Sequence, residues 1–150
     1  FNEPVPFGKR SIESLDWGVD VNFKAPLYMA RAAVDIMKEQ KSGVIINIGS
    51  IDGVTGSATV DYSSEKAGLI GLTKSIALYG ADSNVRCCMV SPGPVMTRPG
   101  MANMRTPLGR AAEPIEVVDL VMYLASGKAA FISGDNYLVD GARACAAGIY

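Results

Sequence analysis

Residues 43–50 read Gly43-Val44-Ile45-Ile46-Asn47-Ile48-Gly49-Ser50. Val44 to Ile48 is a β-branched run without polar alternation, the pattern of a strand covered on both faces, as in a parallel sheet. Before it, Ser11 is placed to cap a helix with Glu13 and Asp16 in its first turn. Ile12, Leu15, Val19, Phe23, Leu27, Ala30, Val34 and Met37 then recur at near-helical spacing until Ser42-Gly43 stops it. After it, a second helix is expected over 60–79, closing at Gly80, and a second apolar strand from Val85 to Val90, ending at Ser91-Pro92-Gly93-Pro94. A loop rich in Met, Pro and Arg leads to Glu113-Pro114. Proline there sits near a first turn, where its missing amide costs little, and opens a helix through Val117, Leu120, Val121 and Leu124. Asn136 to Val139 reads as the last strand. Strands alternating with helices require parallel pairing through right-handed crossovers. The expectation is one α/β domain over residues 1–150, with about three strands and helices on both faces.

Composition narrows the chemistry. The chain has 150 residues, is 49% hydrophobic and carries a net charge of -1, which is ordinary for one soluble globular domain. It shows neither a basic patch for nucleic acid nor an apolar run long enough for a bilayer, so neither partner is expected. It contains no histidine, which excludes Ser-His-Asp hydrolysis, Cys-His proteolysis and His-ligated zinc within these residues. Cys87, Cys88 and Cys145 lack metal-type spacing, and no metal is expected. Adjacent in a strand, Cys87 and Cys88 point to opposite faces and read as buried free thiols of a reducing, cytoplasmic compartment.

The chemistry-bearing residues lie between the two strands. Tyr62 and Lys66 stand at i and i+4, on one helix face, twelve residues beyond Ser50. A phenol of pKa near 10 exchanges protons poorly at neutral pH. An ammonium roughly 4 Å away, at an effective dielectric near 20, stabilises the phenolate by up to about 4 kcal/mol, on the order of three pKa units. The pair is sufficient for proton transfer to a carbonyl oxygen. Pro26 stands inside the first helix and deprives the Asn22 carbonyl of its donor. Two readings stay open there: an ordered-water site, or a long helix bending around a core.

Five blocks together resemble the short-chain dehydrogenase/reductases. They are Asp20-Val21-Asn22, the run from Gly43 to Gly53, Tyr62-Ser63-Ser64-Glu65-Lys66-Ala67-Gly68, Ser91-Pro92-Gly93-Pro94-Val95-Met96-Thr97, and Val139-Asp140-Gly141. Leu108-Gly109-Arg110 before Glu113-Pro114 looks most like the 3-oxoacyl-carrier-protein reductases. The resemblance implies the C-terminal half of a doubly wound, Rossmann-type sheet and NADP- or NAD-dependent interconversion of a ketone or 3-oxoacyl group and a secondary alcohol. It implies a small carbonyl or alcohol substrate, in some members linked to acyl-carrier protein. Tyr62 becomes the general acid or base. Lys66 lowers its pKa and binds the nicotinamide ribose, Ser50 donates to the substrate oxygen, and Asn22 holds a water linking Lys66 to solvent. Pro92, Gly93, Val95 and Thr97 resemble the segment that meets the nicotinamide carboxamide, though Pro-Gly alone equally marks a strand-ending turn. Met96, Met101, Met104 and Leu108 fall at the family's substrate lid, or in oligomer packing. Ser64, Ala67, Gly68, Gly71 and Ser75 form a small-residue helix face open to a neighbouring helix, which in the family often belongs to another subunit.

Four departures accompany the resemblance. Cys88 replaces the usual asparagine, Ala142 replaces a common glycine, and the interval from Ser50 to Tyr62 is one residue short. The fourth is that no Gly-x-x-x-Gly-x-Gly turn or Asn-Asn-Ala-Gly block occurs, so most of the phosphate- and adenosine-binding part is missing and NADP cannot be told from NAD. With Phe1 in first place and no signal-peptide pattern in Phe1 to Gly8, the sequence is expected to be a truncated piece of a longer chain. Such a piece leaves a strand edge unpaired, from which a homodimer or homotetramer and no useful turnover by these 150 residues alone are expected. Two functional classes stay open: an oxidoreductase, or a non-catalytic remnant or structural subunit that keeps the site as inheritance.

Overall fold

The computed structural model describes residues 5–146. The front segment, Phe1 to Gly8, falls partly outside that range. Three parallel strands, β1 (Gly43–Ile48), β2 (Val85–Pro92) and β3 (Asn136–Val139), lie in the order β1-β2-β3. Gly43 to Ile48 face Val85 to Val90 residue by residue, and Met89 to Pro92 face Asn136 to Val139. β2 is the apolar run with neighbours on both edges, and Val85 and Cys87 to Ser91 are all buried.

β1 corrects one expectation. Its equally apolar sequence predicts cover on both faces, yet only Asn47 is buried and Ile48 is 48% exposed. The reason is position: among the described residues β1 pairs only with β2, so it is an edge strand.

The pleat separates the two cysteines as alternation requires. Cys88 joins a core with Val90, Leu124 and Ala129 beneath α5 (Pro114–Ala125). On the other face, Asn47 donates to Thr73 Oγ1 at 2.9 Å, inside the buried contact with α4 (Val60–Gly80). Arg86 on β2 donates to the Leu124 carbonyl at 2.8 Å, one of the oxygens that a helix C-terminus leaves without partners, and to the Ile132 carbonyl at 3.1 Å in the loop before β3.

The first long helix runs unbroken from Ile12 to Gln40, as the periodicity predicts, but carries a π turn that the periodicity does not announce. α1 (Ile12–Val19), capped by Ser11 Oγ accepting from the Ser14 amide, opens into a π turn at Asp20–Lys24. α2 (Ala25–Gln40) follows, with Pro26 in its first turn. In the turn the Ala25 amide bonds Asp20 O, five residues back. The distortion therefore precedes the proline, and the missing Pro26 donor falls directly after the π turn, where the regular i to i−4 ladder is already interrupted. A short α3 (Asp52–Thr55), absent from the sequence reading, leads from β1 toward α4. No helix among the described residues is long and apolar enough to cross a membrane.

Candidate active site

The carboxyl ends of parallel strands are where open α/β sheets place their ligands, and here β1 and β2 end side by side. The Gly49 amide bonds the Val90 carbonyl at 2.8 Å and the Ile51 amide bonds the Pro92 carbonyl at 3.0 Å. Ser50, between them, is thereby fixed at the sheet's end, and its Oγ accepts from the Asp52 amide at 3.1 Å as α3 begins. The Gly93 amide continues the pairing to the Val139 carbonyl at 3.0 Å. A side chain at Gly93 would bring Cβ within 2.9 Å of Asp140 Cα, so this close approach requires glycine.

A cleft of about 520 Å³ opens at this end, lined by Asn22, Ser50, Tyr62, Gly93 and Thr97 of the residues expected from the sequence. Pro92 ends β2 and Val95 is held in a bridge to Ala112, and neither lines the cleft. Met101 and Met104 line the cleft, whereas Leu108 borders a separate hollow beside Arg110 and Glu116.

Lys66 is not among the residues that line the cleft, and its ammonium lies over the Tyr62 ring. Its Nζ lies 5.7 Å from the Tyr62 ring centroid and donates to the Ile48 carbonyl at 3.0 Å. Burial pulls the Lys66 ammonium below its ordinary value, against the raising effect of Glu65. The Tyr62 phenol is pushed up, first by burial; a hydrogen bond with Ser50 works the other way, and Asp52 and Glu65 push upward. Lys66 is not among the groups that move Tyr62 in this arrangement; its own ammonium is desolvated and donates to a backbone carbonyl. Asn22 lies in the π turn, and its Nδ2 donates to Glu65 Oε2 at 2.8 Å.

Arg98, Arg143, Asp52 and Thr59 also line the cleft and were not singled out by the sequence reading. Arg98 and Arg143 are cations in segments otherwise rich in Met, Pro, Ala and Gly, the one signal that could have marked them. Glu65 carries no sequence signal of its own beyond standing inside the Tyr62–Lys66 block.

Fold and cleft together define a parallel α/β sheet of the Rossmann type with a Tyr62–Lys66 pair beside the carboxyl ends of its strands. A family model described as enoyl-(acyl carrier protein) reductase matches residues 2–142. The chain belongs to the short-chain dehydrogenase/reductase family, whose members use nicotinamide dinucleotides. It is 37% identical over 146 residues to an acetoacetyl-CoA reductase of Acinetobacter sp. (strain RA3849), covering 90% of this chain and 58% of that protein. It is 42% identical over 130 residues to a 3-alpha-(or 20-beta)-hydroxysteroid dehydrogenase of Mycobacterium tuberculosis (strain ATCC 25618 / H37Rv), covering 82% of this chain and 49% of that one. Among solved structures, a 4-hydroxyisoleucine dehydrogenase complexed with NADH superposes with a TM-score of 0.86 at 32% identity, covering 94% of this chain and 64% of the other. The chain thus spans about half the length of the curated relatives it matches.

Proposed function

We propose that these residues form the catalytic part of an NADP- or NAD-dependent reductase that converts a ketone or 3-oxoacyl group to a secondary alcohol. The observation that carries the reading is the convergence of the Ser50 and Tyr62 hydroxyls on one cleft at the carboxyl end of the sheet. A substrate oxygen seated there accepts a hydrogen bond from Ser50 and exchanges a proton with Tyr62.

The nicotinamide end of the cofactor fits the residues present. Gly93 brings backbone to the cleft without a side chain, Thr97 adds a hydroxyl, and Pro92 and Val95 fix the segment through backbone pairing. When bound, the nicotinamide supplies or accepts hydride. Lys66, with its Nζ 5.7 Å from the Tyr62 ring centroid, would meet the adjoining ribose, and Asn22 lines the same cleft. Met101 and Met104 give the cleft a deformable apolar wall suited to an acyl or alicyclic substrate, free or carried on acyl-carrier protein. The two buried thiols support a reducing, cytoplasmic setting.

A structural subunit that keeps the site without turnover is the second reading. Steady-state assays separate the two. In the full-length protein Tyr62→Phe should lower kcat on the order of 100- to 10,000-fold while cofactor affinity, measured by NAD(P)H fluorescence, stays nearly unchanged. Equal activity in the variant would defeat the Tyr62 role. The 150 residues alone should show no useful turnover, and oxidation of NAD(P)H by them with a ketone panel would overturn that expectation.

A further inference from the structure

Glu65 is an acid in an unexpected place. It is 5% exposed, whereas glutamates are seldom buried unless paired. Its Oε2 accepts from Asn22 Nδ2 at 2.8 Å, and its Oε1 is enclosed without a hydrogen-bond partner among the described residues. α1 leaves space beside it: a Cβ at Gly18 would stand 2.5 Å from Oε1, so a side chain there would make the carboxylate shift from its present place. The neighbouring acid on α4, Asp61, pairs with Arg10 at 3.0 Å. Burial raises the Glu65 carboxyl above its usual range, the Asn22 bond opposes this, Asp61 adds to it, and Lys66 and Arg10 counter it. A half-satisfied buried carboxylate works against stability. Its one strong contact reaches a residue of the cleft wall, across 43 positions of sequence.

We propose that Glu65 is a positioning residue of this site: by accepting from the Asn22 carboxamide it anchors the π turn to the helix that carries Tyr62 and Lys66. The turn has lost the regular α-helical ladder just before Pro26, so a side-chain tie to α4 supplies the order that the backbone gives up. The inference rests on the reading in the preceding subsection for its catalytic consequence, and on geometry alone for the tie itself.

Glu65→Gln retains an acceptor at the same place and removes the charge; Glu65→Ala removes both. The first readout needs no turnover: the side-chain amide signals of the ¹⁵N-labelled full-length protein, with Asn22 assigned by its loss in Asn22→Ala. In the native protein the Asn22 signal should titrate with a midpoint above the ordinary 4.5 of a glutamate. In Glu65→Gln it should stay at its bound position without titrating, and in Glu65→Ala it should move to a solvent-exposed position. An Asn22 signal that ignores pH in the native protein, or is the same in all three, overturns the proposal. If the alanine variant fails to fold, native against glutamine still decides. In turnover, Glu65→Ala should lower kcat on the order of 10- to 100-fold with substrate KM within about twofold, and Glu65→Gln should recover most of it. Equal kcat losses in the two variants at matched unfolding midpoints would also overturn it. A full-length protein that reduces no carbonyl defeats the catalytic reading instead, and the amide signals still judge the tie.

Discussion

At Ala142 a methyl side chain occupies left-handed backbone, with φ 67° and ψ 17°. L-residues there bring Cβ close to the following carbonyl, at a cost of roughly 1–2 kcal/mol. The conformation is held from outside, because Asp140 Oδ1 accepts from the Ala142 amide at 3.0 Å and Oδ2 from the Ala144 amide at 2.8 Å. The resemblance places glycine at this position, and the geometry supplies the reason. Ala142→Gly should therefore raise the stability of the chain by about 1 kcal/mol, less a few tenths for the greater freedom of glycine in the unfolded state. Urea unfolding followed by circular dichroism measures it, and an unchanged or lower midpoint would contradict the strain argument. Such residue-level facts were half legible: the substitution is visible in the sequence, whereas its strain needs the dihedral angle.

The contact between α3 and α4 depends on another glycine. A Cβ at Gly53 would lie 2.7 Å from the Lys66 carbonyl carbon and 2.8 Å from the Ala67 amide nitrogen, both backbone atoms that cannot swing aside. Gly53→Ala should push the short helix away from α4, displacing Ser50 with it, and cost about 1–3 kcal/mol as an overpacking substitution. Chemical denaturation tests the magnitude, and a variant as stable as the native chain would sink the argument. Elements with local signals were readable to within two residues. α4 and α5 announce themselves by periodicity and by the Glu113-Pro114 start, where the Glu113 amide donates to Glu116 Oε2 at 2.8 Å. The π turn and α3 were not readable, because each is stabilised by a residue of α4 far along the chain: Glu65 for the turn and the Lys66–Ala67 backbone for α3.

For the whole molecule, exposed apolar surface sets the expectation. Trp17, Tyr28, Met29, Leu78 and Phe131 are all exposed, and β1 presents an outer edge with no partner among the described residues. Surface of this kind is commonly covered by another chain or element, and we expect the 150 residues to form a dimer or larger assembly. Light scattering after size exclusion checks this; a well-folded monomer at micromolar concentration would refute it. By itself the sequence determined the order of strands and helices, their parallel pairing, and a chemical inventory centred on Tyr62, Lys66, Ser50 and Asn22. These follow from side-chain period, caps and residue type, which act over a few residues of chain. Only the tertiary structure decided that Ser50, Tyr62 and Asn22 share one cleft while Lys66 donates to the Ile48 carbonyl, that Arg98 and Arg143 join the lining, and that β1 is an edge among the described residues. Those outcomes depend on burial and on contacts between distant segments, which set both the reach of a charge and the pKa of a phenol, and no local pattern encodes them.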